Sequence, residues 1–487
     1  MSEISSIVEM SAWELSKQIH YKKISCKEVM KAYLDQIKTL NPKVNAIVAL
    51  QDEDKLIKQA EEKDSALMSG RKYGWMHGFP QAIKDLEETK GIPTTYACPV
   101  FKNFIPESDS LLVERMKKAG SIVIGKTNTP EWGFGSQTYN EVYGATGNPY
   151  DPDLTSGGSS GGAACSVALR MQAVADGSDF MGSLRNPPGW CNVYGYRPAF
   201  GRVPSPGLEL FMNSFAMRGT IARNVADLAL LLSTLSGYDA AAPLSLEEDP
   251  NLKSLNPFNV HEKLLSSQKG RKIAWLGDWD GYLPMEDGVI DLCEKALAKF
   301  PEFGVDVENI KPPYDPEAFW NEIWLPLRHF SAQALKGLYD VEEKKKLLKP
   351  ESIFEYEGLS GWSGRDIYFA SLKRSDWYRA MLKVFEKYDF IAVPTAQLFP
   401  FDKNIHWPEE IAGKKMDTYH RWMEVVTHWT MSGSPVVAIP AGFNENGLPM
   451  GIQIVGKPRS DFDLLQFAYA YETRNDWVNT YRPEILG

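Results

Sequence analysis

The sequence predicts an α/β protein of one large domain over residues 1–487: a mixed, mostly parallel twisted sheet covered by helices on both faces. Two observations carry this expectation. Short β-branched or apolar runs alternate along the chain with amphipathic helical segments, the pattern of a sheet wrapped by helices. The 487 residues, 43% of them apolar, are enough to bury a large core. No internal repeat, low-complexity tract or linker divides them.

The elements follow in order. Apolar residues at helical spacing run through 10–40: Trp13, Leu15, Ile19, then Val29, Ala32, Tyr33 and Ile37. The second run opens at Ser25 with Glu28 three positions on, a capping box. Residues 46–50 read as a strand and 52–69 as a charged amphipathic helix. Gly78–Asp85 reads as a short buried strand carrying a lysine. Residues 109–119 are helical and Ser121–Ile124 is a β-branched strand. A helix over 224–235 takes Asn224 as its N-cap. A strand at 272–276 precedes a helix at 285–299. The strand Phe390–Val393 ends at Pro394. Strands near 435–439 and 450–455 flank a Gly-rich turn, and a helix over 461–473 closes the pattern. Residues 240–265 are expected as a loop excursion. The region 314–430 is variable, helical and rich in aromatics, among them Trp320, Trp324, Trp362, Trp377, Trp407, Trp422 and Trp429. These rings are read as helix core, with an apolar substrate entry as the alternative.

Bulk chemistry excludes several classes of function. A formal charge of −10 argues against nucleic acid or an anionic membrane as the main partner. No run of apolar residues is long enough to span a bilayer, and Met1–Met10 has no basic or apolar leader segment. The five cysteines have no CxxC pair and read as reduced thiols of a cytoplasmic protein. The seven histidines are scattered singly, so no metal site is predicted.

The most informative stretch is 157–187, GGSSGGAACSVALRMQAVADGSDFMGSLRNP. It holds two small hydroxyl-rich glycine loops, Gly157–Gly162 and Gly177–Ser183, separated by a helix-sized apolar segment. Such loops bring a serine and backbone N–H groups together, as acyl transfer needs. Two familiar patterns fail nearby. Gly120–Thr127 matches the phosphate-loop pattern G-x4-G-K-[ST], but its intervening residues are the strand itself and Thr129-Pro130 follows. Gly157–Gly161 matches G-x-S-x-G, but turn formers precede it where that motif needs a strand. Histidines do follow, so a Ser-His-Asp site stays open on count alone. Lysine chemistry remains. Lys84, among Phe79, Ala82 and Ile83, is read alone as snorkelling or paired with Asp85. If burial lowers its pKa by about three units, a neutral amine results that can take a proton from a hydroxyl.

Taken together, Gly78–Asp85, Gly120–Glu131, Asn148–Gly162, Asp176–Pro187, Arg223–Leu232, Ser434–Gly442 and Gly447–Glu472 resemble the amidase signature family of serine hydrolases. The pair GGSSGG and D-x-x-G-S-x-R-x-P, whose serine lies 24 residues after the first serine of GGSSGG, is specific to it. Residues 245–420 match weakly. The resemblance implies the amidase signature fold and a cofactor-free Ser–cis-Ser–Lys triad that cleaves a small amide through an acyl-enzyme. Ser183 would be the nucleophile, Ser159 the bridging serine beside a cis non-proline bond, and Lys84 the base. The N–H groups of Phe180, Met181, Gly182 and Ser183 would form the oxyanion hole. Ser160, Asp179 and Arg185 would support the site, and a homodimer is the implied assembly. The chain departs from the family pattern at Met181, at Leu154-Thr155-Ser156 and at Gly219–Arg223, which bears on substrate rather than chemistry; the Met181 side chain would have to fit beside the acyl group. Its wording is most like the 6-aminohexanoate cyclic dimer hydrolases (nylon oligomer degradation), which implies elongated or cyclic uncharged amides. The alternatives are a general aliphatic or aryl amidase, a glutaminase component of the amidotransferase type, and a catalytically silent scaffold on the same fold.

Overall fold

The computed structural model describes residues 7–70, 73–212 and 214–487. Residues 1–6 of the stretch read above for a leader segment lie outside the described residues. The strands are β1 (Ile47–Val48), β2 (Pro80–Lys84), β3 (Ile122–Thr127), β4 (Val174–Asp179), β5 (Tyr194–Arg197), β6 (Met217–Ala222), β7 (Arg271–Trp275), β8 (Val305–Asn309), β9 (Phe390–Pro394), β10 (Glu410–Ile411), β11 (Lys414–Lys415), β12 (Val436–Phe443) and β13 (Pro449–Val455). The helices that matter below are α1 (Ala12–His20), α2 (Cys26–Val44), α3 (Glu53–Met68), α4 (Leu111–Lys118), α5 (Gly161–Ala168), α6 (Asn186–Trp190), α7 (Val225–Leu235), α8 (Val289–Leu297), α9 (Leu325–Ser331), α10 (Gly364–Phe385) and α11 (Asp461–Glu472).

Local chemistry accounts for the early helices. Ser25 Oγ accepts from the Glu28 N–H at 3.1 Å and the Glu28 carboxylate accepts from the Ser25 N–H at 2.7 Å, which closes the capping box of α2. Asn224 caps α7 through the Asp227 N–H at 2.8 Å. Both helices bury their apolar residues completely or nearly so, and one apolar cluster runs from Ile7 to Val478. The expected loop at 240–265 holds two short helices, Pro250–Lys253 and Val260–Leu264.

An eight-stranded sheet in the order β4-β6-β5-β12-β13-β9-β7-β8 stands beside a three-stranded one, β1-β3-β2, and a two-stranded ribbon, β10-β11. The α/β class with a mixed sheet and covering helices is as expected. The expectation of mostly parallel pairing is corrected. Among the described residues only β2–β3, β7–β8 and β7–β9 run parallel. The pairings β1–β3, β4–β6, β5–β6, β5–β12, β12–β13, β13–β9 and β10–β11 are antiparallel. Alternation of helices and strands along the chain does not fix direction, because strand order is set by long-range connections.

The two larger sheets meet at a seam between β2 and β4, bridged by side chains instead of a backbone ladder. The Ala82 N–H donates to Gln172 Oε1 at 3.0 Å, and the Lys84 N–H donates to the Asp176 carboxylate at 3.3 and 3.2 Å. Gln81 Nε2 donates to the Val174 carbonyl at 3.1 Å. The edge N–H groups of β2 are thereby satisfied in a buried place where water could not serve. This seam sets Lys84, the last residue of β2, against the end of β4.

Candidate active site

Three short segments converge at that seam. β2 brings Lys84, the turn before α5 brings Ser159 and Ser160, and the turn between β4 and α6 brings Ser183. The second glycine loop is shorter than the sequence suggested. Gly177 and Ser178 belong to β4 and the turn begins at Phe180, while Gly161 and Gly162 already belong to α5. Gly162 permits the close approach of α5 to the strand end at Asn128, since a Cβ there would lie 2.4 Å from the Asn128 nitrogen. Gly182 has φ +86°, and a Cβ would press on Val426 at 3.0 Å.

Lys84 Nζ lies 2.9 Å from Ser159 Oγ, and Ser159 Oγ lies 2.9 Å from Ser183 Oγ. The peptide bond Gly158–Ser159 is cis. Lys84 Nζ also lies 2.8 Å from Ser160 Oγ and 3.1 Å from Ser178 Oγ. Burial pushes the Lys84 amine down to about 7, against the pull of Asp176 and Asp179 in the other direction. Asp176 is pushed up to about 7 by burial and then by the neighbouring Glu87 carboxylate. Lys84 does not pair with Asp85. That carboxylate points away, accepting from Thr95 Oγ1 and from the Thr95 N–H at 3.1 Å.

The loop around Ser183 is braced by Asp179. Its carboxylate accepts from the Gly182 and Leu184 N–H groups at 3.0 Å each, from Arg185 Nε and Nη2 at 2.8 Å each, and from Arg197 Nη1 at 3.2 Å. Burial opposes the Asp179 charge, but the two guanidiniums outweigh it and hold the carboxyl well below the usual carboxylate range. Arg185 Nη1 then reaches the Val426 carbonyl at 2.7 Å and Gln453 at 2.8 Å, tying the loop to β13. Of the four N–H groups expected to face an oxyanion, that of Gly182 is therefore committed to the brace. Those of Phe180, Met181 and Ser183 have no acceptor among the described residues. The Met181 side chain packs into the apolar core at 5% exposure.

A cleft of about 650 Å³ opens over Ser159, Ser178 and Phe180. Its aromatic lining includes Tyr96, Trp132, Phe134, Phe180, Phe215 and Phe330. None of the tryptophans of 314–430 lines it; Trp320, Trp324, Trp377, Trp422 and Trp429 are buried core, so the core reading of that region holds for them. The region contributes Arg328, Phe330 and their neighbours instead. No histidine touches Ser159, Ser160 or Ser183 among the described residues, which closes the Ser-His-Asp option. Residues 122–127 form a strand, so the phosphate-loop pattern at Gly120–Thr127 has no loop. Among the described residues no cluster of His, Cys, Asp or Glu could hold a metal ion, and no helix is long and apolar enough to cross a membrane.

Sequence reasoning passed over Ser178, Asp176 and Arg328. Period-two alternation sets Asp176 and Ser178 on one face of β4, but the turn-forming run hides the strand in the sequence. Arg328 had no signal, since nothing local distinguishes it from other helix arginines.

Comparison with known proteins bears on this geometry. The sequence model named Amidase matches residues 28–465. The chain belongs to the amidase family. It is 31% identical over 473 residues to an acylamidase of Rhodococcus erythropolis, covering 96% of each chain. It is also 31% identical to a glutamyl-tRNA(Gln) amidotransferase subunit from a Cyanothece species, covering 95% of this chain and 98% of that one. Its structure superimposes on a bacterial aryl acylamidase of the amidase signature enzymes with a TM-score of 0.89, at 28% identity and 99% coverage of both chains. A 6-aminohexanoate cyclic dimer hydrolase shares the fold with a TM-score of 0.81, but at 23% identity and coverage of 99% and 100%. The amidase family and its carbon–nitrogen hydrolase activity are thus established for this chain. The subfamily suggested by wording alone is a distant relation.

Proposed function

We propose that this amidase cleaves uncharged amides through an acyl-enzyme, with Ser183 as nucleophile, Ser159 as proton relay and Lys84 as base. The observation that carries the reading is the unbroken path of two 2.9 Å contacts from a buried amine to Ser183 Oγ. A neutral Lys84 accepts the Ser159 proton while Ser159 accepts that of Ser183. Ser183 Oγ attacks the amide carbon. The developing oxyanion meets the free N–H groups of Phe180, Met181 and Ser183. Ser159 then hands a proton to the leaving amine, Lys84 re-protonates Ser159, and water repeats the sequence to release the acid. Ser160 and Ser178 hold the ammonium form when Lys84 carries the proton.

The cleft supports an apolar, uncharged substrate. Its cations are already paired, Arg218 with Glu87 at 2.7 Å and Arg328 with Glu355 at 2.7 Å. Glutamine would bring an ammonium and a carboxylate to a cleft whose two arginines are already paired with carboxylates, so the glutaminase alternative draws its support from sequence likeness rather than from the site. Acylamides and aryl amides fit the lining. The cyclic dimer of 6-aminohexanoate, an uncharged diamide, belongs to the same chemical class. The five cysteines are all buried and unpaired, in keeping with a cytoplasmic location.

The test is amine release from a panel of aryl amides, linear and cyclic aliphatic amides, and glutamine. The wild type should turn over the uncharged members. Ser183→Ala should abolish turnover, by roughly 10⁴-fold or more, while keeping its melting transition. A Ser183→Ala protein that retains substantial activity defeats the assignment.

A further inference from the structure

Arg328 is a charged side chain in the cleft wall that the chemistry above does not use. It sits on α9, which follows a single wide helical turn at Trp320–Trp324. The residue is 3% exposed yet lines the cleft. Its guanidinium is clamped between two rings of the same cleft, 4.4 Å from the Phe180 centroid and 4.9 Å from that of Phe134. Phe180 is itself fixed: it stacks on Phe215 at 5.5 Å, and its carbonyl accepts from Thr430 Oγ1.

The donors of this guanidinium divide unequally. Nε donates to Glu355 Oε1 at 2.7 Å, and Nη2 faces Tyr419 Oη at 3.4 Å. Tyr419 in turn donates to the same carboxylate oxygen, and His329 Nδ1 lies 3.4 Å from the other. Burial pushes the Glu355 carboxyl up, but Arg328 and His329 outweigh it and hold it ionised, well below the usual carboxylate range. His420, packed beside Tyr419, is pushed down to about 3 by burial and is neutral. Nη1 has no partner among the described residues. A guanidinium offers five N–H donors in a rigid fork, and Nη1 is the one nitrogen of this fork with no acceptor among the described residues. Its charge is matched by Glu355, so what remains for a ligand is a hydrogen-bond donor with little net attraction for an anion.

We propose that Arg328 is a specificity residue whose Nη1 donates to an uncharged acceptor, a second carbonyl, on the part of the substrate remote from the scissile bond. The preferred substrates are then amides that carry another amide or ketone group across the cleft, rather than simple alkyl amides. This deepens the functional reading and rests on the cleft over Ser159 being the amide site.

Calorimetric binding to the Ser183→Ala protein tests it apart from turnover. The probes are hexanediamide, octanediamide and decanediamide, each against the monoamide of equal length and against the corresponding ω-carboxylate monoamide. One hydrogen bond to a charged donor predicts that at least one diamide binds roughly tenfold more tightly than its monoamide. The double variant Arg328→Met, Glu355→Gln, which strands no buried carboxylate, should bind the two equally. Arg328→Lys keeps the ion pair but not the fork, and should also lose the preference. The proposal is overturned by equal binding or no binding at every length, by tighter binding of the ω-carboxylate, or by a diamide preference that survives in either variant. Wild-type turnover of the same amides is read separately. A diamide preference without hydrolysis of any of these amides would overturn the proposed substrate class and leave the assignment of Arg328 standing.

Discussion

Two buried lysines stand on neighbouring parallel strands, Lys84 on β2 and Lys126 on β3. The register pairs Lys84 with Thr127 and Ile83 with Lys126, so their side chains leave opposite faces of the sheet. Both are nearly inaccessible, at 1% and 0% exposure. Burial pushes both amines down, Lys84 to about 7 and Lys126 to about 8. Their surroundings differ. Lys126 Nζ donates to the Glu87 carbonyl and to the hydroxyls of Thr89 at 3.1 Å and Thr94 at 3.2 Å, and Asp85 is the carboxylate that acts on it most strongly. Those two threonine hydroxyls donate onward to the backbone carbonyls of Glu87 and Ile92, where the path stops. Around Lys84 one hydroxyl, that of Ser159, lines the cleft and leads on to another, that of Ser183. Desolvation sets how readily a buried lysine gives up its proton. The route away from the amine decides whether that readiness does chemistry.

Paired substitutions break this comparison most sharply. Lys84→Ala should lower kcat/KM by roughly 10³-fold, with the residual rate climbing at high pH. Lys126→Met should keep kcat/KM within about tenfold. It should instead lose about 3 kcal/mol of stability in urea denaturation, because it removes three hydrogen bonds and the cation that favours the Asp85 carboxylate. Equal loss of activity in both variants would erase the distinction. Asp179→Asn, which unpairs two buried guanidiniums, should cost at least as much, about 3–5 kcal/mol by the same measurement. A cost under 1 kcal/mol would show that the loop stands without its brace. Ser178→Ala removes one hydroxyl from the ammonium form of Lys84 and should change kcat/KM by less than about tenfold, with the apparent pKa moving down. The smallest effect belongs to Ser25→Ala, far from either lysine. Loss of the α2 cap should cost about 1 kcal/mol and leave the pH profile alone.

The grouping of the candidate site residues was more legible than the strand directions around them. Lys84, Ser159 and Ser183 sit in local patterns that survive folding, and the caps at Ser25 and Asn224 are contacts over three residues. β4 was missed because Ala-Asp-Gly-Ser-Asp carries turn chemistry. It is a strand because β6 offers it a ladder from Val174 to Asp179, and tertiary pairing overrides the local preference. The commitment of the Gly182 N–H to Asp179 is a matter of loop geometry that spacing does not specify. Arg328 is a functional candidate only because Glu355 and Tyr419, distant in sequence, close around it and Phe134 and Phe180 hold its plane.

The most direct measurement is the pH dependence of single-turnover acylation of Ser183 in the wild type, Lys84→Ala and Lys126→Met proteins. Lys84 must be unprotonated to act, and burial has lowered it to about 7, so the wild-type rate should rise with unit slope below that value and level off above it. Lys126→Met should keep this inflection and Lys84→Ala should lose it. A wild-type profile that is flat between pH 5 and 9, or an inflection that persists without Lys84, would contradict the account.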